Sequence, residues 1–229
     1  MSTIDRPEVR ALPPLVAGQR LDQPTFHERY ASMPEGTWAE LVGGIVRMPS
    51  PLFDNHGGED FHVGGWLFHY RRFTPGTRGV TNVSTILGDR TEVQPDHQLR
   101  ILESHGGQAR VVGGYVVGAP ELVVEVGRSS RSYDLGAKKA EYEAAGVLEY
   151  LFVGVEPEGV RWFARREGRF VDLAPGEDGL LRSGAFPGLW LDPRALYAVD
   201  LDGLVAALER GLATPEHAAF VARLAARGA

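Results

Sequence analysis

The chain of 229 residues is long enough for one domain with a sizeable core, and its 43% apolar and 24% charged residues are ordinary for a globular protein. Because it has no cysteine, structural disulfides, cysteine-based zinc sites and thiol nucleophiles are excluded. The formal net charge of −6 lacks the basic excess of a dedicated nucleic-acid-binding protein, so any contact with DNA must depend on a local patch.

No segment of the sequence predicts insertion into a membrane. Residues 1–20 carry three prolines and scattered charges instead of the apolar core of a signal peptide. No stretch approaches the ~18 uninterrupted apolar residues of a membrane span. We therefore expect a cytoplasmic protein without a membrane partner.

The N-terminal half is predicted to combine an arm with short strands and two helices. The arm, over residues 1–23, is expected to be loose, and residues 24–200 are expected to form the main domain. Thr25 and Glu28 have the spacing of a capping box, which predicts the start of a helix. Two adjacent glycines between strand-like runs predict a tight hairpin. The elements expected after the arm are a helix through about Ser32, strands over 38–42 and 45–48, a helix over 58–73, and strands over 93–102 and 111–117.

The C-terminal half is predicted to contain a strand–helix–strand unit. Leu122 to Val126 is a nearly continuous β-branched run, as expected of a strand covered on both faces. Asp134 is in the position of an N-cap for a helix over 135–145, which Gly146 ends. A buried strand over 147–155 follows, so we expect a βαβ crossover. The remaining elements are a hairpin over 160–164 and 169–173 and C-terminal helices within 201–229, which pack on the same domain.

A carboxylate inside the central strand is the most informative single feature. Glu125 lies between Val124 and Val126. A buried carboxylate costs free energy unless it is paired, hydrogen-bonded or bound to a cation. A functional site would explain it. An edge position for the strand, or an arginine partner for Glu125, would explain it equally well.

A lysine on the following helix is the second unusual feature. Lys138 shares a helical face with Tyr142, and that face must pack on the sheet, so Lys138 is predicted to point inward. Lys139 has Glu143 four residues later, the spacing of an ordinary surface pair. The alternative is that the stem of Lys138 packs while its ammonium reaches water.

Asp96 completes an order of residues that suits phosphodiester hydrolysis. Glu125 follows it by 29 residues and Lys138 follows Glu125 by 13. Hard cations such as Mg²⁺ prefer carboxylate oxygens, and a bound cation polarises a phosphate and lowers the pKa of a bound water. A nearby lysine can orient that water or stabilise developing negative charge. Pro95-Asp96 on its own is only a turn signal.

Several stretches resemble one protein family in order and spacing. They are Glu40–Gly44, Pro95-Asp96, Ala119–Val126, Ser129-Ser130, Tyr133–Lys138 and Tyr142–Tyr150. Together they resemble the Uma-two family, which is placed in the PD-(D/E)xK nuclease superfamily. The resemblance covers roughly residues 24 to 200. It implies an α/β fold with a restriction-endonuclease-like core, in which a mixed sheet is flanked by helices, and it implies Mg²⁺ or Mn²⁺ as the cofactor.

The resemblance also implies a role for each candidate residue. Asp96 would be the principal metal ligand and Glu125 the second acidic ligand, with the backbone carbonyl of Val126 also on the metal. Glu40 would be a further acidic residue. Lys138 would be the catalytic lysine, moved onto the helix, because the superfamily's usual position two residues after the acid is here a glycine.

Further residues are candidates for holding the DNA backbone. Arg128 and Arg131 flank the proposed site, and Ser129, Ser130 and His56 lie in loops or helix starts. Each has a structural alternative: a solvated surface for the arginines, helix capping for the serines, and a cap or surface role for the histidine.

Three functions therefore stay open. The first is a Mg²⁺-dependent endonuclease acting on DNA. The second is a non-catalytic interaction or regulatory module on a nuclease scaffold. The third is a metal-dependent hydrolase of another phosphodiester. Metal binding without DNA cleavage would favour the third, and no metal binding would favour the second.

A homodimer is expected by analogy, because cutting both strands of a duplex often needs two sites. An apolar stripe near the C-terminus would serve either a dimer interface or packing within the chain. It consists of Leu201, Leu204, Leu208 and Leu212.

Overall fold

The computed structural model describes residues 12–48, 54–127, 131–154 and 159–228, without the side chains of 54–57 and 131. The helices are α1 (Gln23–Ala31), α2 (Asp54–Arg72), α3 (Arg131–Tyr133), a π-helical turn (Asp134–Lys138), α4 (Lys139–Ala145), α5 (Pro193–Tyr197), α6 (Leu201–Leu212) and α7 (Pro215–Gly228), with a 3-10 turn (Glu103–His105). The strands are β1 (Glu40–Val42), β2 (Ile45–Arg47), β3 (Thr77–Thr81), β4 (Thr85–Ile86), β5 (Glu92–Val93), β6 (His97–Ile101), β7 (Arg110–Val112), β8 (Tyr115–Val117), β9 (Leu122–Gly127), β10 (Glu149–Gly154), β11 (Val160–Arg166), β12 (Arg169–Asp172), β13 (Leu181–Arg182) and β14 (Trp190–Leu191).

The described strands form two six-stranded sheets and a two-stranded ribbon. The central sheet has the order β12-β11-β10-β9-β6-β3, in which β9 and β10 are parallel and the other neighbours are antiparallel. The second sheet has the order β2-β1-β5-β4-β8-β7 and includes one parallel pair, β4 with β8. The chain thus has a mixed α/β fold, and the predicted βαβ crossover from β9 through α4 to β10 is confirmed.

The two faces of the central sheet pack against different elements. Leu122 and Val124 belong to the main core, which includes side chains of α2, α6 and α7. Val123 packs on the opposite face with Tyr142 of α4. Because successive side chains of a strand point to opposite faces, Glu125 shares the face of Val123 and points towards α4.

Two segments predicted as single strands are each divided. Residues 93–102 separate around Pro95 into the end of β5 and all of β6, which belong to different sheets. Proline cannot donate a hydrogen bond within a sheet, so it ends the pairing there. Residues 111–117 form the hairpin of β7 and β8, which turns at Gly113 and Gly114 with φ of 59° and 92°. Glycine tolerates these left-handed conformations, and the turn reverses the chain.

Residues 12–22 are packed against the protein, so the expectation of a loose arm is wrong for them. The backbone N–H groups of Gly18 and Leu21 donate to the carbonyls of Val46 and Gly44. Leu15 is buried. The domain boundaries at 23/24 and 200/201 stay predictions.

The first helix begins earlier than its predicted capping box. Its N-cap is Asp22, whose side chain accepts a hydrogen bond of 2.9 Å from the backbone N–H of Thr25. Thr25 is therefore inside the helix, and Pro24 stands in the first turn, where its missing N–H costs nothing. The predicted capping box of Thr25 and Glu28 is wrong, because an aspartate just upstream competes for the same backbone donor.

The apolar stripe of α6 is used within the chain. Leu204 and Leu208 are buried in the main core, and Leu212 packs against it, whereas Leu201 is exposed. Intramolecular packing is confirmed for these three leucines, and the homodimer stays a prediction. Within the described part of the chain, every helix is too short or too polar to cross a bilayer.

Candidate active site

The helix that crosses from β9 to β10 changes its hydrogen bonding next to the candidate lysine. Asp134–Lys138 form a π-helical turn, in which the N–H of Lys139 donates to the carbonyl of Asp134. Single π turns inside helices are frequent at functional sites. The prediction of Asp134 as an N-cap is wrong, because the helical residues already begin at Arg131.

Lys138 points into the protein, as its helical spacing predicted. Its Nζ lies 2.7 Å from Oε1 of Glu125 and 3.0 Å from Oε1 of Glu40. Lys138 and Glu125 are each only 4% exposed. The lysine thus joins two acids from different sheets in one buried contact, and its catalytic role stays a prediction.

Lys139 lies outside this contact, although its predicted partner is wrong. In the part of the chain that the structure describes, Lys139 forms no ion pair with Glu143. Its ammonium lies 4.4 Å from the ring centre of Phe163. Glu143 instead pairs with Arg169 at 3.0 Å and accepts a hydrogen bond from the N–H of Phe170. Glu143 therefore pairs with an arginine on strand β12, and not with the lysine four residues before it in the helix.

Glu125 is held by two donors that meet at one oxygen. The hydroxyl of Tyr142 donates to Oε1 of Glu125 at 2.5 Å, and the same oxygen faces Lys138. Strand β9 lies between β10 and β6, so it is not an edge strand. The edge-strand explanation of this carboxylate therefore does not apply, and among the described residues Glu125 has no arginine partner.

Burial and neighbouring charges change the pKa of Glu125 and the pKa of Lys138 in different ways. Burial raises the pKa of Glu125 well above its ordinary value, Lys138 offsets part of this shift, and Asp96, Asp134 and Glu40 add to it. Burial alone would lower the pKa of Lys138, but Glu125, Glu40 and Asp134 together raise that pKa well above the ordinary lysine value. Lys138 is therefore the group that carries its proton at neutral pH.

Backbone hydrogen bonds fix the other two acids at the rim of the cluster. Oδ2 of Asp96 accepts from the N–H of Val126 at 2.7 Å, and Asp96 is half-buried. Oε1 of Glu40 accepts from the N–H of Gln94 at 2.8 Å, two residues before Asp96. Glu40, Asp96, Glu125 and Lys138 are thus brought together from β1, the segment before β6, β9 and the crossover helix.

The donor chemistry of the cluster fits a hard divalent cation. Three carboxylates, those of Glu40, Asp96 and Asp134, act electrostatically on Glu125, and carboxylate oxygens are the ligands that hard divalent cations prefer. In the described ranges, no three acidic or histidine side chains are already close enough together to hold a metal ion. Because Glu40 and Glu125 both use Oε1 on Lys138, a cation would have to compete with the lysine for them.

The remaining candidates are only partly described. The N–H of Val126 is bonded to Asp96, and the proposed role of its carbonyl stays a prediction. Arg128, Ser129 and Ser130 lie outside the described residues, as do the side chains of His56 and Arg131. Their proposed contacts with substrate stay predictions.

Two residues of the cluster were not singled out from the sequence. Tyr142 was placed on the inward face beside Lys138, and the spacing of four residues was the signal that both side chains reach one point. Asp134 was interpreted as a helix cap, although it is buried one turn before Lys138.

Comparison with known proteins agrees with this architecture. The fold is similar to that of a crystal structure titled as a "putative nuclease" from Anabaena variabilis ATCC 29413, with a TM-score of 0.57, 14% sequence identity, and coverage of 75% of this chain and 96% of that one. At that identity the likeness shows the fold alone. No curated protein matches the sequence. Residues 24–194 match the model of the Uma2 family, which is described as "Putative restriction endonuclease". Because that match spans most of the chain and confirms the resemblance seen in the sequence, this protein belongs to the Uma2 family.

Proposed function

We propose that this protein is a metal-dependent nuclease that hydrolyses phosphodiester bonds of DNA. The observation that carries the proposal is the meeting of Glu40 and Glu125 at the buried ammonium of Lys138, with Asp96 beside them. Acidic residues from separate elements around one lysine are the groups that such chemistry needs. Membership of a family described as restriction endonucleases favours a nuclease over other hydrolases.

In this proposal Asp96, Glu125 and Glu40, with the carbonyl of Val126, would hold Mg²⁺ or Mn²⁺. When bound, such a cation polarises the phosphate and lowers the pKa of a bound water. Lys138 keeps its proton because its pKa is raised, so it would donate hydrogen bonds to developing negative charge instead of accepting a proton.

Other residues would position the cluster and the DNA. The hydroxyl of Tyr142 fixes one oxygen of Glu125, which keeps that carboxylate in a defined rotamer. Contacts with the DNA backbone are proposed for Arg128, Ser129, Ser130, Arg131 and His56. A homodimer is proposed for cleavage of both strands.

The test is plasmid cleavage with Mg²⁺ and with Mn²⁺, using wild type, Asp96→Ala and Glu125→Ala from one purification series. Asp172→Asn is a matched acidic control, because Asp172 is 59% exposed in an ion pair on the edge strand β12. We expect cleavage by wild type and the control and none by the two site variants. Activity that survives both site substitutions would identify a contaminant and refute the proposal.

A non-catalytic module on the nuclease scaffold is the second candidate. The observation that favours it is the closed contact of Lys138 and Tyr142 with one oxygen of Glu125. Calorimetric titration with Mn²⁺ separates the candidates: absence of binding favours the module. Binding of Mn²⁺ with cleavage of RNA or nucleotides, but not of DNA, would favour a hydrolase of another phosphodiester.

A further inference from the structure

Arg100, the fourth of the five residues of strand β6 in the central sheet, is a buried cation without a bonded partner among the described residues. It is 3% exposed, and its Nε is buried and makes no hydrogen bond. Among the described residues its guanidinium forms no ion pair either. Desolvating a charge costs free energy unless an opposite charge or hydrogen bonds compensate it. Among the described residues, Arg100 therefore has no hydrogen-bonded or ion-paired partner that would offset its burial.

A second buried arginine shows how this chain satisfies such a group. Arg29 is 6% exposed, yet its guanidinium donates to the carbonyls of Pro13 and Pro14 at 2.8 and 2.5 Å and to Oε1 of Gln19 at 3.0 Å. Arg100 has no comparable acceptors. The guanidinium of Arg100 thus keeps a donor, Nε, that a ligand can use.

The group opposite Arg100 is another cation. Arg78, on the edge strand β3, is its direct antiparallel partner. Directly opposed side chains project from the same face with Cβ atoms about 5 Å apart, and like charges there are destabilising. Burial, and after it Arg78, lower the pKa of Arg100, and Glu121 offsets only part of this shift.

Glu121, the acid that acts on Arg100, is already hydrogen-bonded to the backbone. Oε2 of Glu121 accepts from the N–H of Ile101 at 2.8 Å, and Oε1 accepts from the N–H of Gln108 at 2.9 Å. Two arginines thus occupy opposed positions on one face of the sheet, and the carboxylate that acts on Arg100 is engaged elsewhere. Arg78 is exposed at the edge of the sheet, so a ligand can approach from solvent.

We propose that Arg78 and Arg100 form an anion-binding site that takes a phosphate group of a polynucleotide. Guanidinium groups present paired N–H donors that match phosphate oxygens, and Arg is preferred over Lys wherever such bidentate contacts are made. A bound phosphate supplies both the charge and the acceptors that Arg100 lacks, and it relieves the repulsion between the two arginines.

The site is separate from the acidic cluster but lies on the same sheet. Asp96 and Arg100 are four residues apart, which is about 13 Å along a strand. Between them the side-chain amide of Gln98 donates to the hydroxyl of Thr85 at 2.8 Å, so β4 covers the sheet there. One DNA strand carries a phosphate about every 3.4 Å of helix axis, so a duplex spans this distance in about four base pairs. This link to the cluster rests on the proposed function, whereas the anion site itself does not.

The first test measures binding of a short fluorescent DNA duplex by anisotropy, in EDTA, at several salt concentrations. Arg78→Gln and Arg100→Gln are compared with Arg169→Gln, which removes an exposed arginine from the opposite edge of the same sheet. We expect each site variant to weaken binding about tenfold and to reduce the slope of log Kd against log salt by about one. The control should keep the wild-type affinity and slope. Equal affinity for wild type and both site variants would overturn the proposal of a polynucleotide ligand.

The second test measures thermal unfolding with and without inorganic phosphate. A ligand that binds only the folded state raises Tm, so free phosphate should stabilise wild type and leave Arg100→Gln unchanged. Without phosphate, Arg100→Met should unfold no lower than wild type, because it removes an uncompensated buried charge. A large fall in Tm for Arg100→Met would show a structural role and overturn the proposal.

The two tests also distinguish a polynucleotide phosphate from free phosphate, and they distinguish failure of the anion site from failure of the proposed nuclease function. Stabilisation by inorganic phosphate without duplex binding would assign the site to free phosphate or a nucleotide and would overturn the polynucleotide assignment. Neither assay contains a metal ion or measures cleavage. A chain that binds the duplex through both arginines but cleaves nothing would refute the nuclease and leave this site standing.

Discussion

Glu125 and Glu149 are buried carboxylates on neighbouring parallel strands, and they are satisfied in different ways. Glu149 accepts four hydrogen bonds from neutral donors: the hydroxyl of Ser183 and the N–H of Gly184 at 2.7 Å, the N–H of Ala185 at 2.9 Å, and the indole of Trp162 at 3.1 Å. This arrangement ties β10 to a loop. It is a structural use of a buried acid.

In the described part of the chain, Glu125 accepts from one neutral donor, the hydroxyl of Tyr142. It shares one oxygen between Lys138 and Tyr142, and three further acids, Asp96, Asp134 and Glu40, act on it from nearby. The comparison teaches that burial of an acid in a strand does not by itself indicate a site. What distinguishes Glu125 from Glu149 is the set of charged groups around it.

The largest expected effect separates the two lysines of the crossover helix. Lys138→Ala should lower cleavage by at least about a hundredfold, because it removes the cation that faces developing charge. Glu125, whose pKa is already raised, can take up a proton, so the fold should persist. Lys139→Ala should leave cleavage nearly unchanged. Rates of plasmid cleavage, with circular dichroism as the check on folding, measure this; equal losses in both variants would refute the assignment of the inward face.

The next largest effect is expected at Glu149, the buried acid with a structural role. Glu149→Ala leaves four buried donors without an acceptor and should lower the free energy of unfolding by about 3 to 5 kcal/mol. Urea unfolding measures this change. Glu149→Gln keeps an acceptor oxygen and should fold well enough to bind Mn²⁺ with wild-type affinity. A folded Glu149→Gln protein that no longer binds Mn²⁺ would remove the distinction between the two acids.

A smaller effect is expected at the hydroxyl that holds Glu125. Tyr142→Phe removes one buried hydrogen bond and should cost about 1 kcal/mol of unfolding free energy. It should also weaken Mn²⁺ binding about tenfold, because a ligand carboxylate loses its orienting partner. Calorimetry measures the affinity. The control is Tyr197→Phe, whose hydroxyl donates to the carbonyl of Gly154 at the end of β10. An unchanged Mn²⁺ affinity in Tyr142→Phe would show that Tyr142 only packs.

The smallest effect concerns pH. Burial raises the pKa of Glu149 above its ordinary value of 4.5, against the hydrogen bonds that favour its charged form. A group with a raised folded pKa contributes stability that is fully present below its unfolded pKa and is lost as pH rises through its folded pKa. The stability of Glu149→Gln relative to wild type should therefore improve as pH rises from about 4.5 towards neutrality. Urea midpoints measured across that range test the sign, and a relative stability that falls with pH would contradict it.

The parts of the fold that the sequence predicted well have strong local signals. The run of β-branched residues in β9, the glycine that ends α4 and the apolar strand after it defined the βαβ unit. The hairpin at Gly43 and Gly44 was also predicted from a local signal, the two adjacent glycines. Lys138 was placed inward by helical spacing alone.

The features that sequence reasoning missed depend on contacts between distant segments. The strands on either side of Pro95, β5 and β6, belong to different sheets. The residues near Pro95 carry no signal that predicts which sheet each strand joins. The contact between Glu40 and Lys138 joins residues 98 positions apart, and only the family resemblance named Glu40. The register that sets Arg78 opposite Arg100 is likewise a property of strand pairing.

The segment that matches the Uma2 family depends on contacts with the residues before and after it. A fragment of residues 24–194 would lack the acceptors of Arg29, which are Pro13, Pro14 and Gln19, so the guanidinium of Arg29 would lose these hydrogen bonds. It would also lack α6 and α7 of the main core, where Leu208 and Phe220 are buried. A fusion protein that uses this segment must therefore include the residues on both sides of it, and a relative with different flanking residues must cover the same two surfaces with other side chains.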